Sequence, residues 1–324
     1  MTWLITGGAG YIGAHVVEST LLSCRAVVVL DDLSTGISSR LSQDIPLAQV
    51  SLQDSDALHQ IFETNTISGV LHLAAKKRVG ESVEHPDYYW QENVGGLQNL
   101  LAAMKVHNIY NFVFSSSAAV YGQPDVPPGT LIIEETPCAP INPYGATKLE
   151  GEVLSRALAE SQGLKVAALR YFNVAGAGRP ELGDQYIFNL VPIVFDALDR
   201  KEQPIVFGDD YSTPDGSCIR DYVHVQDLAD AHIAAMGFVE NSDAGFTAIN
   251  IGTGTGASVF EVLTMIQEVT GISIDPIIGQ RREGDPAALV ADVSFAKNVL
   301  GWQSSRDLQD IVTSAWDAWQ LGHK

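Results

Sequence analysis

Short apolar runs separated by longer stretches of mixed polarity set the pattern of this chain. Trp3–Thr6, Ala26–Leu30, Gly69–Leu73, Asn111–Ser115 and Val166–Arg170 are brief and mostly apolar, and they read as strands. Between them, Tyr11–Leu22, Gln91–Val106 and Gly145–Gln162 repeat apolar residues at helical spacing. Strands alternating with helix-length segments predict a doubly wound parallel sheet with helices on both faces, an α/β fold. Beyond Arg170 the rhythm loosens, and Pro180, Pro192, Pro204 and Pro214 punctuate it. The expectation is a first domain over residues 1–170, rejoined by a segment near 222–252, and a smaller mixed lobe over 171–324.

Composition narrows this picture. The 324 residues are 46% hydrophobic and 18% charged, as in a globular protein. The longest apolar runs, such as Ala26–Leu30, fall far short of the ~20 residues that span a bilayer, and Met1-Thr2 offers no basic leader region. No membrane partner is expected, and a cytoplasmic location is. A formal charge of −20 argues against binding nucleic acid, which needs clustered cations. Any anionic ligand must be held by a few local cations and backbone amides. Cys24, Cys138 and Cys218 are odd in number and widely spaced, so reduced thiols are expected, with neither a disulfide framework nor a metal site.

The first candidate chemistry lies where a strand meets a helix. Gly7-x-x-Gly10-x-x-Gly13 follows Trp3–Thr6, and the next strand ends in Asp31-Asp32, about twenty residues on. Gly7 permits the tight turn, Gly10 lets the backbone approach a pyrophosphate, and Gly13 lets the helix pack closely, its first amides facing the anion. A carboxylate at Asp31 accepts from ribose hydroxyls and repels a 2′-phosphate, which favours NAD over NADP. A second glycine run, Asn250–Gly256, looks similar, but the capping box Ser258-Val-Phe-Glu261 behind it reads as a plain turn before a helix.

The second candidate is Tyr144-Gly-Ala-Thr-Lys148, with Ser115-Ser-Ser-Ala-Ala-Val-Tyr121 upstream. Tyr and Lys at i and i+4 share a helical face, so the ammonium can stabilise a phenolate whose pKa is ordinarily about 10. The tyrosine then becomes usable as a base near neutrality.

With these motifs the chain resembles the extended short-chain dehydrogenase/reductase family over essentially its whole length, most closely the branch that epimerises UDP-hexoses at C4. The resemblance rests on the opening glycines, Asn93-Val94-x-Gly96, the serine run, YxxxK, Val79–Val83, Arg170-Tyr-Phe-Asn173, Arg220-Asp-Tyr-Val-His224 with Asp227–Asp230, and Arg282-Glu-Gly-Asp285. It implies an NAD site formed by Gly7, Gly10, Tyr11, Ile12, Gly13, Asp31, Asp32, Leu33, Ser34, Thr35 and Gly36. To these it adds Ser51, Leu52, Leu73, Ala74, Ala75, Lys77, Asn93, Ser115, Lys148 and Phe172. It implies that Tyr144 takes the proton of the sugar 4-hydroxyl, that Ser117 hydrogen-bonds the same oxygen, and that Lys148 depresses the Tyr144 pKa. The C4 hydride passes to NAD and returns on the opposite face, with no net redox.

For substrates, the resemblance points to UDP-glucose and UDP-galactose. It implies Arg220 and Arg282 on the diphosphate, Asn173, Asn189 and Leu190 along the sugar path, Val206 and Phe207 against the uracil, and Asp285 on its ribose. Three positions depart from the pattern: Ser51 replaces an aspartate that accepts from adenine, Ala119 replaces a threonine, and Leu289 is intermediate in size where bulk excludes N-acetylated sugars. Leu289 therefore implies a preference for UDP-glucose and UDP-galactose over UDP-N-acetylglucosamine. Ser117-Ala118-Ala119 stands where family dehydratases carry an Asp-Glu pair, which disfavours elimination. Other UDP-sugar modification (a decarboxylase among them) and a non-catalytic NAD-binding regulator are the competing readings. The resemblance also implies a homodimer through helices starting near Gln91 and Gly145.

Overall fold

Each early apolar run becomes a strand in the computed structural model, which describes residues 1–127, 129–282 and 284–322. In chain order the first half runs β1 (Thr2–Thr6), α1 (Tyr11–Leu22), β2 (Ala26–Leu30), β3 (Leu47–Ala48), α2 (Ser55–Thr64), β4 (Ile67–His72), α3 (Val79–Glu84) and α4 (Pro86–Tyr89). A π-helical turn, Trp90–Gly95, leads into α5 (Gly96–Val106), then β5 (Asn111–Ser117), α6 (Pro143–Gln162) and β6 (Lys165–Tyr171). The second half holds β7 (Asn173–Ala175), α7 (Leu190–Asp199), β8 (Ile205–Phe207), β9 (Ile219–His224), α8 (Val225–Asn241) and β10 (Gly245–Ile251). It ends with β11 (Gly256–Ser258), α9 (Val259–Thr270), β12 (Ile277–Gly279), β13 (Ala288–Leu289), α10 (Ser294–Leu300) and α11 (Leu308–Gly322).

Seven strands form one parallel sheet in the order β10-β6-β5-β4-β1-β2-β3. The order reverses between β1 and β4, and a doubly wound sheet opens its ligand crevice beyond the carboxyl ends of its strands at that point. Both faces are covered. Trp3 and Ile5 of β1 pack with α1 and α8, and Leu4 packs on the other side with α2 and α5. Burial on both faces explains why these strands read as unbroken apolar runs rather than alternating ones.

After β9 the chain returns to the seven-stranded sheet. Helix α8 packs on the sheet, and β10 pairs in register with β6 from Gly245↔Lys165 to Ile251↔Tyr171. Ala296 of α10 and Trp302 beyond it join the same core, so the return includes a later piece than residues 222–252. The remaining lobe centres on β9, which pairs with β7, β11 and β13, while β8 pairs with β12 alone. A separate core of α7, α9 and α11, including Phe195, Ile266 and Trp319, supports it.

The second glycine run closes on the protein itself. Its amides at Thr253 and Gly254 donate to Asp221 at 2.7 and 3.0 Å, and Ser258 and Glu261 complete the reciprocal cap of α9. Gln91–Val106 is one helix by periodicity, but its first turns adopt the wider π form. Among the described residues no helix is long and apolar enough to cross a membrane.

Candidate active site

The loop between β1 and α1 uses its glycines in two ways. Gly7 has φ +72°, and a β-carbon on it would lie 2.7 Å from the Ala74 nitrogen, so only glycine lets the exits of β1 and β4 pass this closely. A β-carbon at Gly13 would fall 2.0 Å from the Gly7 carbonyl oxygen, which fixes the helix against its own loop. Gly10 differs: the nearest atom to its β-carbon is 3.2 Å away, and the residue lines an open cleft with Tyr11 and Ile12. No side chain caps α1, and no acidic residue occupies its first turn, so the positive end of the helix is unopposed.

Asp31 sits beside this loop, buried at the end of β2. Its carboxylate accepts from the Ala9 and Leu33 amides, each at 2.9 Å, and Leu33 takes φ 59° to make that turn. Burial pushes the Asp31 pKa above its ordinary value, and the two amides pull against the rise. Each oxygen keeps acceptor capacity for a hydroxyl ligand. A β-carbon on Gly36 would strike the Asp31 carboxylate at 2.4 Å, so Leu33 and Gly36 both lie against Asp31.

The walls follow from the strand ends. Asp32, Ser34, Thr35, Ser51, Leu52, Leu73, Ala74, Ala75 and Lys77 line the cleft. Lys76 does so too, and its ammonium donates to the Ser34 hydroxyl at 2.9 Å. The Ser51 hydroxyl accepts from Gln53 at 3.2 Å. Asn93 lies in the π-helical turn, where its side chain accepts from the Lys76 amide at 2.7 Å and donates to the Lys76 carbonyl at 3.0 Å. The wider turn, frequent at functional sites, thus aims a side chain that pins the backbone carrying the cations. An uncapped helix start, a ribose-competent carboxylate and adjacent cations fit a dinucleotide pyrophosphate.

The floor is built from β5, β6 and α6. Asn142 caps α6, accepting from Gly145 at 2.8 Å, and the helix carries Tyr144 and Lys148 one turn apart along the floor. The buried Lys148 ammonium donates to the Ser115 carbonyl at 2.7 Å and lies 6.0 Å from the Tyr144 ring centre. The Ser115 hydroxyl hydrogen-bonds that of Tyr171, which also lines the floor. Burial pushes Lys148 down to about 7. It pushes Tyr144 up, and the Ser117 hydroxyl pulls the other way. Desolvation disfavours the charged form of both groups.

Behind the floor, Ser116 donates to Glu152 at 2.5 Å, and Arg170 grips the same carboxylate at 2.8 and 2.6 Å. Arg170 also donates to Tyr121 at 3.0 Å, which donates to Asn250 at 2.7 Å. This buried network braces β5, α6, β6 and β10 in one register, and it gives Arg170 a structural role.

The other residues expected on the substrate, from Asn173 to Leu289, are not among those that line this cleft. Arg220 donates to Asp285 at 2.6 Å and to the Pro286 carbonyl at 2.9 Å, so the two expected ligand residues form an ion pair. Arg282 stacks 4.0 Å from the Phe207 ring, and Glu283 lies outside the described residues. Val206 turns its side chain into the lobe core, whereas Phe207 stays partly exposed. Asn173 is exposed at the start of β7. Asn189 donates to Asp184 at 2.9 Å, next to Leu190 at the start of α7. Leu289 is buried in one cluster with Phe172 and Ala118, beside the end of β5.

Arg78, Tyr171, Tyr186 and Phe188 line the cleft unforeseen. Lys76-Lys77-Arg78 had a legible signal, being three consecutive cations in a chain with only 19. Among the described residues no group of three metal-ligating side chains occurs.

Fold and cleft together define a dinucleotide-binding α/β enzyme with a Tyr/Lys/Ser floor. Residues 3–252 match the model of the NAD dependent epimerase/dehydratase family, and the chain belongs to that family. It is 43% identical over 328 residues to the UDP-glucose 4-epimerase of Halalkalibacterium halodurans, covering all of this chain and 96% of the relative. Two solved structures are similar over nearly their full lengths. The UDP-glucose 4-epimerase from Stenotrophomonas maltophila, with bound NAD and formylated UDP-arabinopyranose, is 36% identical with a TM-score of 0.94, covering 100% of this chain and 99% of the other. That from Brucella ovis in complex with NAD is 40% identical with a TM-score of 0.93, covering 99% and 98%.

Proposed function

We propose that this protein interconverts UDP-galactose and UDP-glucose by inverting C4, using NAD that it retains through the turnover. The carrying observation is that Tyr144, Lys148 and Ser117 converge at the floor of the cleft that the glycine loop opens. When bound, NAD supplies a reversible hydride acceptor for C4, passing the sugar through a 4-ketone and ending as it began. The loop amides, Asp31 and the Lys76–Lys77 cations hold its ribose and pyrophosphate.

Tyr144 removes the proton of the 4-hydroxyl and later returns it, and Ser117 donates a hydrogen bond to the sugar oxygen. Burial favours the neutral form of Tyr144 further, so any positive charge brought beside it in the cleft favours the phenolate form. Lys148, fixed on the Ser115 carbonyl, holds the cofactor ribose and contributes such a charge when protonated. Arg220 and Arg282 bind the UDP diphosphate, Phe207 lies against the base, Asp285 meets the uridine ribose, and Asn173 and Asn189 follow the sugar. Leu289 narrows the sugar pocket, so UDP-N-acetylglucosamine is a poor substrate. Residues 1–170, with the strands and helices that return later, bind NAD, and the remaining lobe binds UDP-sugar.

We also read the protein as a cytoplasmic homodimer. Tyr88 and Trp90, just before the helix that continues from Gln91, and Val153 on α6 are exposed apolar side chains. Gel filtration should give twice the chain mass. Purified protein given UDP-galactose and no added NAD should produce UDP-glucose of unchanged mass. A requirement for one added oxidant per product would overturn the reading.

A further inference from the structure

One segment of the substrate lobe crosses the cofactor cleft. Arg40, at the end of a short 3-10 turn Ser38–Arg40 that follows the ribose-binding turn, is only 7% exposed. It donates to the Gly183 carbonyl at 2.7 Å, and its Nε and Nη1 have no hydrogen-bond partner among the described residues. A guanidinium is costly to bury half-satisfied, and such a group calls for an explanation. Burial lowers the Arg40 pKa, and the charge of Asp184, the next residue of the segment, opposes the change.

The segment then runs across the mouth of the cleft. The Tyr186 hydroxyl donates to the Thr35 carbonyl at 2.8 Å on one wall. Its ring stacks on Phe188 with centres 5.6 Å apart, and Phe188 receives the Arg78 guanidinium at 4.3 Å on the opposite wall. Thr35, Arg78, Tyr186 and Phe188 all face the cleft. Phe188 and Ile187 are 43% and 42% exposed, so little packing holds the segment from outside. Beyond the buried Gly183, which packs against Ala318, its attachments to the rest of the fold are the Tyr186 hydrogen bond and the Arg78–Phe188 contact, as in a part that can open without unfolding the core.

We propose that Gly183–Phe188 is a strap over the NAD site and that Arg40 is the positioning residue that clamps it, so that the strap sets how fast NAD leaves. This rests on the reading of the cleft as an NAD site. The clamp gives an enzyme that must recover its own cofactor in every turnover a physical means of retaining it.

The test is the rate of NAD release from purified holoenzyme, read as NADH when excess alcohol dehydrogenase and ethanol trap each released molecule. Arg40→Met should speed release about tenfold and Tyr186→Phe about threefold, following the loss of a charged and a neutral hydrogen bond. With saturating added NAD, Arg40→Met should keep kcat within about twofold of wild type. Folded variants that release NAD at the wild-type rate overturn the strap. If Arg40→Met fails to fold, Tyr186→Phe and Phe188→Ala, which change partly exposed side chains, decide alone. A wild-type protein that neither holds NAD nor converts UDP-galactose overturns the functional reading and the strap with it. One that does both, with variants unchanged, overturns only the strap.

Discussion

Two glycine loops leave two strands of this molecule, and they do opposite things with their amides. The loop after β1 leaves the first turn of α1 without a cap, facing a cleft. The loop after β10 wraps Asp221, a fully buried carboxylate that accepts from Thr253, Gly254 and Ala291. In both, a glycine permits close approach. A β-carbon at Gly252 would come 2.4 Å from the Asp221 carboxylate, and one at Gly7 would come 2.7 Å from Ala74. Glycine spacing therefore reports that backbone must come near something. Whether that something is an internal anion or a ligand depends on the residues the fold brings alongside.

Stability should separate the two loops most sharply. Asp221→Ala removes the internal anion and strands several buried donors, so unfolding free energy should fall by about 4 kcal/mol in a urea titration. The affinity of the folded fraction for NAD should not change. Gly10→Ala is the converse. Gly10 has φ −72°, which alanine adopts, so stability should hold within about 1 kcal/mol. The added methyl displaces bound pyrophosphate, and NAD affinity measured by calorimetry should fall about a hundredfold. Gly252→Ala should cost about 2 kcal/mol through contact with Asp221 and leave NAD affinity intact. If Gly252→Ala and Gly10→Ala gave the same profile, the contrast between the loops would fail.

A smaller effect lies on the floor of the first cleft. The folded protein holds Lys148 at a pKa of about 7, against an ordinary 10.5. Between those values the unfolded chain binds a proton that the folded chain does not. The burial penalty is therefore complete below about 7 and fades as pH rises toward 10.5. Nucleotide-stripped wild type should gain stability relative to Lys148→Met by about 1.4 kcal/mol per pH unit over this window. Parallel curves for the two proteins would show that Lys148 is not held neutral.

The early strands were legible because both faces of a parallel sheet are buried, which writes each strand as a continuous apolar run. Asn111–Ser115 and Val166–Arg170 lie inside strands that run only a residue or two further. The Ser258–Glu261 cap was equally readable, since its two partners are three residues apart. Long-range contacts were not. The π form at Trp90–Gly95 goes with Asn93 reaching the backbone of Lys76, and no helical periodicity records that contact. Tyr186 meets Thr35 across 151 positions of sequence, so nothing local marked the strap. Tyr144 and Lys148 were visible as a spacing, but burial, which sets their charge, belongs to the folded cleft.

In the proposed reaction the hydrogen leaving C4 is stored inside the protein and put back on the same carbon. UDP-galactose deuterated at C4 and converted in ordinary water tests it directly, with the UDP-glucose read by mass spectrometry and NMR. Full retention of deuterium at C4, with inverted configuration and no added NAD, is the expected result. Loss of the label to solvent would contradict it.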